Sequence, residues 1–138
     1  MLQENSRKNL AKITGPIKSG NALGRQIGFP TYNLSYEGEL EGVYLAEVFL
    51  HIGWKKAAVH IGSRPTIDDF EKICEVHVVD WDGWGHEIIS LEVVLLEKIR
   101  DVKKFKSVEE LAEQLARDVD FVRRKELPMA DSELKFNV

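Results

Sequence analysis

The sequence predicts a mainly-β domain, an antiparallel barrel or sandwich carrying one C-terminal helix. Three observations lead there. Short segments rich in β-branched and aromatic residues recur with turn signals roughly every ten residues, a spacing that suits antiparallel strands better than a parallel α/β sheet. One stretch, beginning at Ser107, combines helical periodicity with a capping signal. The 138 residues, 43% of them hydrophobic, suffice for a single core, and with one cysteine, Cys74, packing must hold the fold.

Residues 1–12 are polar and read as a lead-in, with the domain over 13–127 and a polar tail over 128–138 after Leu127-Pro128. A short strand is expected over Ile13 to Lys18. From Gly15 to Asn33, Gly15, Gly20, Gly24 and Gly28 together with Pro16 and Pro30 exclude a long regular element. Val43 to His51 reads as a strand, with Gly53-Trp54-Lys55 turning into a second over Ala57 to Ile61. Ile73 to Trp81 alternates, placing Glu75, His77 and Val79 on one face and Cys74, Val76 and Val78 on the other. Asp82-Gly83 punctuates the link to a longer apolar strand over Leu91 to Ile99. The helix follows, with Ser107 and Glu110 as its capping box and Leu111, Leu115, Val119 and Val122 as the stripe facing the barrel. Glu113 and Arg117 are spaced to pair on its wet side.

Composition narrows the function. A net charge of −4 and a pI near 5.6 argue against nucleic-acid binding, which needs clustered Lys and Arg. No apolar run is long enough to span a bilayer, and the start, MLQENSRKNLAKI, lacks a secretory h-region, so the expectation is a cytoplasmic protein that does not engage membranes. His51, His60, His77 and His86 lack metal-ligand spacing. No Gly-x-Ser-x-Gly elbow occurs, and Cys74 lies on the strand face opposite Glu75 and His77, which disfavours acyl transfer.

The most informative stretch is Gly20 to Asn33. Its glycines let backbone N–H groups approach an anion, and Thr31 and Asn33 offer oxygen ligands suited to magnesium bridging phosphates. It is no Walker loop, since the Gly-Lys-Ser/Thr triplet is absent, and such glycines also serve as plain turns. Glu75 is either a solvated carboxylate or a general base in a site, and spacing alone leaves both open. Trp81, Trp84, Phe105 and Phe121 either wall a pocket for a flat ring or fill the core.

In order along the chain, GRQIGFPTYNL (24–34), Gly42-Val43-Tyr44, HIGSRPTI (60–67), Glu75-Val76-His77, the DWDGWG turn and IRDVKKF (99–105) before the Ser107 helix resemble the riboflavin kinase family. The similarity spans roughly residues 13 to 124. It implies a six-stranded antiparallel Greek-key barrel with a C-terminal helix, acting as a monomer on ATP·Mg²⁺ and riboflavin to give FMN. By matching position, Thr31 and Asn33 would hold magnesium. Gly20, Gly24, Arg25, Gly28 and Pro30, with the same two residues, would hold the nucleotide phosphates. Glu75 would be the base, and Arg100, Phe105 and Leu111 would face the flavin.

The chain departs from the family pattern at Tyr32, where a small alanine is usual, at His60 in place of asparagine, at Val102 in place of an acid, and in a shortened 80–85 turn. Tyr32 would add bulk beside the nucleotide. The resemblance therefore admits two outcomes, an ATP-dependent kinase or a flavin-binding module without turnover. No nucleotidyltransferase segment is read in the chain, so the reaction is expected to stop at FMN.

Overall fold

The computed structural model describes residues 9–18, 23–65 and 70–127. Six strands, β1 (Ala11–Pro16), β2 (Tyr32–Tyr36), β3 (Gly42–Phe49), β4 (Trp54–Pro65), β5 (Phe70–Val78) and β6 (Ser90–Arg100), form one antiparallel sheet in the order β1-β6-β3-β4-β5-β2. Two helices accompany them, α1 (Leu23–Gln26) and α2 (Val108–Arg124). The β3-β4-β5 meander with β2 returning beside β5 is a Greek key. The sheet curls until its two outer strands meet, where Lys18 N–H donates to the Asn33 carbonyl at 2.8 Å. The expected six-stranded barrel with a C-terminal helix is therefore present.

Alternation along the strands sorts the residues into two packed layers. Inside the barrel lie Leu34, Tyr44, Val59, Ile61, Cys74, Val76, Val93 and Leu95, all essentially inaccessible. On the outer surface Leu45 and Val79 meet Val119 and Val122 of α2, with Ala58 and Ile99 beside them. Register irregularities between β3 and β6, at Val43/Tyr44 and Leu45/Ala46, give the bending that closure needs.

Helix α2 begins as the sequence dictates, with Ser107 Oγ accepting from Glu110 N–H at 3.1 Å and Glu110 reaching back to Lys106 N–H. Its far end is fastened to the barrel. Lys56 Nζ donates to the carbonyls of Arg123 and Lys125 at 2.6 and 2.8 Å, satisfying acceptors that a helix terminus leaves open. Arg123 in turn pairs with Asp80.

Several local expectations are corrected. The β3–β4 turn is Leu50 to Gly53, with His51 and Gly53 at φ 72° and 142°, so Trp54 and Lys55 belong to the strand. Strand β2, absent from the pattern reading, forms because β5 supplies its ladder partners. The stretch expected as loop contains the single helical turn α1. Arg117 reaches Gln114 rather than Glu113. Strand β1 starts at Ala11, ahead of the expected boundary, while most of the lead-in and the 128–138 tail lie outside the described residues.

Candidate active site

The glycine-bearing segment is built for a backbone reason. After α1, Phe29 N–H donates to the Gly24 carbonyl at 2.6 Å and Gly28 N–H to the Arg25 carbonyl at 3.2 Å, the paired bonds of a Schellman motif. Gly28, at φ 93°, occupies the left-handed position such a motif reserves for glycine. A Cβ on Gly24 would stand 2.4 Å from the Phe29 carbonyl oxygen. Both glycines are thus required to fold the chain back sharply before Pro30 and Thr31. Gly20 lies outside the described residues.

Pairing across the sheet then sets a row. Asn33 on β2 faces Glu75 on β5, Glu75 faces His60 on β4, His60 faces Val43 on β3, and Val43 faces Arg100 on β6. Strand alternation puts this row on the outer surface, beneath α2 and the 101–107 segment. A cavity of about 250 Å³ opens there, lined by Gly24, Phe29, Thr31, His60, Glu75 and His77 from the sheet side. Arg100, Lys103, Phe105, Leu111, Leu115 and Asp118 close the other side. That volume lies near the low end of ligand pockets, about 300 to 1,000 Å³, and suits one flat ring.

The expected site residues distribute unevenly. Gly24, Thr31, Glu75, Arg100, Phe105 and Leu111 converge on the cavity. Asn33 is 95% buried beside it, its Oδ1 accepting from Thr31 Oγ1 at 3.3 Å. Gly28 and Pro30 instead line a shallower concavity behind the turn, with Asp80, Trp81 and Trp84, and Arg25 is exposed. Arg100 is already engaged: its Nε and Nη2 grip the Asp118 carboxylate at 2.8 to 3.2 Å, and Gln114 Nε2 adds a bond to the same group at 2.9 Å. Its guanidinium also lies over the Phe105 ring.

Thr31 and Asn33 present two hard neutral oxygens side by side, with the Glu75 carboxylate on the adjoining strand. That donor set fits a magnesium ion that keeps several waters and arrives with phosphates. No cluster of three acidic, histidine or cysteine side chains suited to a resident metal occurs among the described residues. Cys74 is sealed in the barrel interior, where burial pushes its thiol up to about 12.

Two of the departures in sequence, Tyr32 and the shortened 80–85 turn, form one packing unit. The Tyr32 ring points into the barrel, away from Thr31 and Asn33, and stacks on Trp84 with centroids 4.5 Å apart, while its hydroxyl oxygen accepts from Trp81 Nε1 at 3.0 Å. The shortened turn folds tightly enough that a Cβ on Gly83 would collide with the Trp81 ring. Tyr32 therefore fills space against Trp81 and Trp84 and adds no bulk to the cavity. Of the four aromatics considered for a pocket wall, only Phe105 lines the cavity; Phe121 is exposed beneath Lys125. His60 Nδ1 is buried and meets no hydrogen-bond partner in the described residues.

Reading the sequence missed Lys103, Leu115 and Asp118 as neighbours of the site, and it gave His60 and His77 no role there although it placed His77 on the Glu75 face and marked His60 as a departure. Leu115 was legible only as core, whereas Asp118, an acid one turn from Leu115 and flanking Val119, was a visible signal of a buried pair.

A protein-family profile described as flavokinase, riboflavin kinase, matches residues 8–125. The bifunctional riboflavin kinase/FMN adenylyltransferase of Escherichia coli K12 is 41% identical over 113 residues, covering 77% of this chain and 35% of that protein. The Bacillus subtilis protein named RNA-binding riboflavin kinase RibR is 32% identical over 82% of this chain and 50% of its own length. A solved Streptococcus pneumoniae structure titled as a macrolide-efflux protein superposes with a TM-score of 0.73 at 32% identity, covering 83% of this chain and 39% of that one. The chain spans about a third of the length of the first of these relatives.

Proposed function

The chain belongs to the riboflavin kinase family, and from that membership we propose that it transfers the γ-phosphoryl group of ATP to the ribityl 5′-hydroxyl of riboflavin, releasing FMN and ADP. The observation that carries the reading is the convergence of Thr31, Glu75, Phe105 and Leu111, from four separate segments, on one cavity.

Glu75 accepts the proton of the ribityl hydroxyl as its oxygen attacks the γ-phosphorus. The bond from that phosphorus to the β–γ bridging oxygen breaks, and ADP leaves with the electron pair. Magnesium bound with the nucleotide would supply charge neutralisation on the phosphates. Thr31 and Asn33 would hold it, Asn33 placed by strand β2 and Thr31 by its bond to Asn33. Lys103 gives the cavity mouth a cation that favours anionic phosphate. Phe105 and Leu111 supply the apolar wall for the flavin ring, and Arg100, held by Asp118, keeps that wall against the barrel. Such a division suits phosphoryl transfer, in which positioning and charge neutralisation dominate over covalent chemistry.

The reading includes a monomer working in the cytoplasm without nucleic acid, the last supported by the net charge of −4. No described helix is long and apolar enough to cross a membrane.

The test is an incubation with riboflavin, ATP and Mg²⁺, resolving FMN by chromatography. FMN is expected only with all three present, and Glu75→Gln is expected to turn over at least about 100-fold more slowly while binding riboflavin normally. Riboflavin bound without FMN formation, or an unimpaired Glu75→Gln, overturns the reading or the base assignment respectively.

A further inference from the structure

We propose that His77 is a positioning residue, which holds the Pro30–Thr31 peptide through its Nδ1 proton and so sets the distance between Thr31 and Glu75. The inference rests on the kinase reading for its catalytic consequence, though not for the contact itself.

His77 Nδ1 lies 2.7 Å from the Pro30 carbonyl oxygen. A carbonyl only accepts, so Nδ1 carries the proton. The bond falls where the backbone has least to hold it. Pro30 has no N–H to give, and the β2 ladder begins only at Tyr32. The Schellman motif fixes the chain as far as Phe29. Between those limits, the Pro30 carbonyl is the one hydrogen-bonding group of Pro30's backbone, and His77 takes it.

Planarity extends the effect. The Pro30 carbonyl and the Thr31 N–H belong to one rigid peptide plane, so anchoring the oxygen orients the start of Thr31 and therefore its Oγ1. The imidazole is itself immobilised, with the Phe29 ring against it edge-on at 5.6 Å and the Trp84 ring stacked at 5.8 Å and 21°. Two residues earlier on the same strand face stands Glu75. A short stiff path therefore runs from Glu75 along β5 to His77, across the 2.7 Å bond to Pro30, and on to Thr31.

The same ring is a partition. Phe29 and Thr31 line the main cavity, Gly28 and Pro30 line the concavity behind the turn, and His77 lines both. Without the bond, the turn is free to shift between the two spaces.

Two substitutions separate packing from anchoring. His77→Phe keeps a ring for Phe29 and Trp84 and deletes the donor; His77→Asn restores an amide donor near the Nδ1 position. Steady-state kinetics for the Phe variant are expected to show KM for ATP·Mg²⁺ raised at least about tenfold with kcat lowered, riboflavin affinity staying within about threefold. The Asn variant is expected to recover KM to within about threefold of wild type. A Phe variant with unchanged KM, or an Asn variant as impaired as Phe, overturns the inference. Should wild-type protein make no FMN, the kinase reading fails first, and the anchor is read by the ¹⁵N–¹H resonances of Thr31 and Asn33. Those signals are expected to shift or broaden in the Phe variant and persist in the Asn variant; unchanged signals in the Phe variant overturn the anchor regardless of activity.

Discussion

Replacing Asp118 by alanine tests how the wall of the cavity is held. The Asp118 carboxylate is 3% exposed, and Arg100, whose side chain is 16% exposed, donates to it through Nε and Nη2. Removing one partner of a buried pair leaves the other charge uncompensated, at a cost of about 3 to 5 kcal/mol. Arg100 lies at the cavity mouth and can turn partly outward, which argues for the lower end, about 3 kcal/mol. For a chain of this length each kcal/mol corresponds to about 3 to 4 °C, so thermal denaturation should show a fall near 10 °C. A double variant, Arg100→Met with Asp118→Leu, removes both charges and should recover most of that loss, giving a large coupling in a double-mutant cycle. A melting shift under about 3 °C for Asp118→Ala, or a double variant as unstable as the two single changes summed, would refute the claim that this pair fastens α2 to β6.

Four further outcomes follow from the packing and the charges. Tyr32→Ala should cost about 3 kcal/mol in denaturant unfolding through the void left beside Trp84, while KM for ATP stays within about twofold, because the ring faces the barrel interior. Ser107→Ala should lower stability by about 1 kcal/mol, read as a melting shift of about 3 °C. Burial holds the His77 imidazole below its ordinary value of 6.5, against an opposing pull from the Pro30 carbonyl. The unfolded chain therefore takes up a proton first, and stability should decline as pH falls below about 6.5, a decline that His77→Asn abolishes in melts across pH. The Arg123 bond holds Asp80 below its ordinary 3.8, so its contribution is present above that pH and disappears in a separate, more acidic window.

What the sequence disclosed depended on the range of the interaction. The alternation through β5 was legible because one face is wholly core: Cys74, Val76 and Val78 point inward, which forces Glu75 and His77 to the other surface. The α2 cap was legible because Ser107 and Glu110 interact within one turn. Strand β2 was not, since Tyr32 to Tyr36 is short, mixed in polarity and preceded by Pro30; its ladder comes from β5, about forty residues away. The glycines of 24–28 signalled a tight backbone, but not the Schellman bonds themselves, which depend on carbonyl positions that composition does not encode. Likewise the bulk at Tyr32 read as an intrusion because its partners, Trp81 and Trp84, lie on a distant turn. The His77–Pro30 bond joins residues 47 apart and had no local signature.

The order in which the strands meet bears on how the molecule is made. Strand β1 pairs with β6, Ala11 opposite Leu95, so the earliest of the six described strands waits for nearly all the others to be made before it can pair. The β3-β4-β5 meander, joined by near neighbours, can nucleate meanwhile, and the outer strands dock on it later. The segment between β1 and β2, which carries the turn before Thr31, is bounded by the last junction to close. Folding speed should therefore be slow for a chain of this size, and mutations in that segment should quicken unfolding far more than they retard folding.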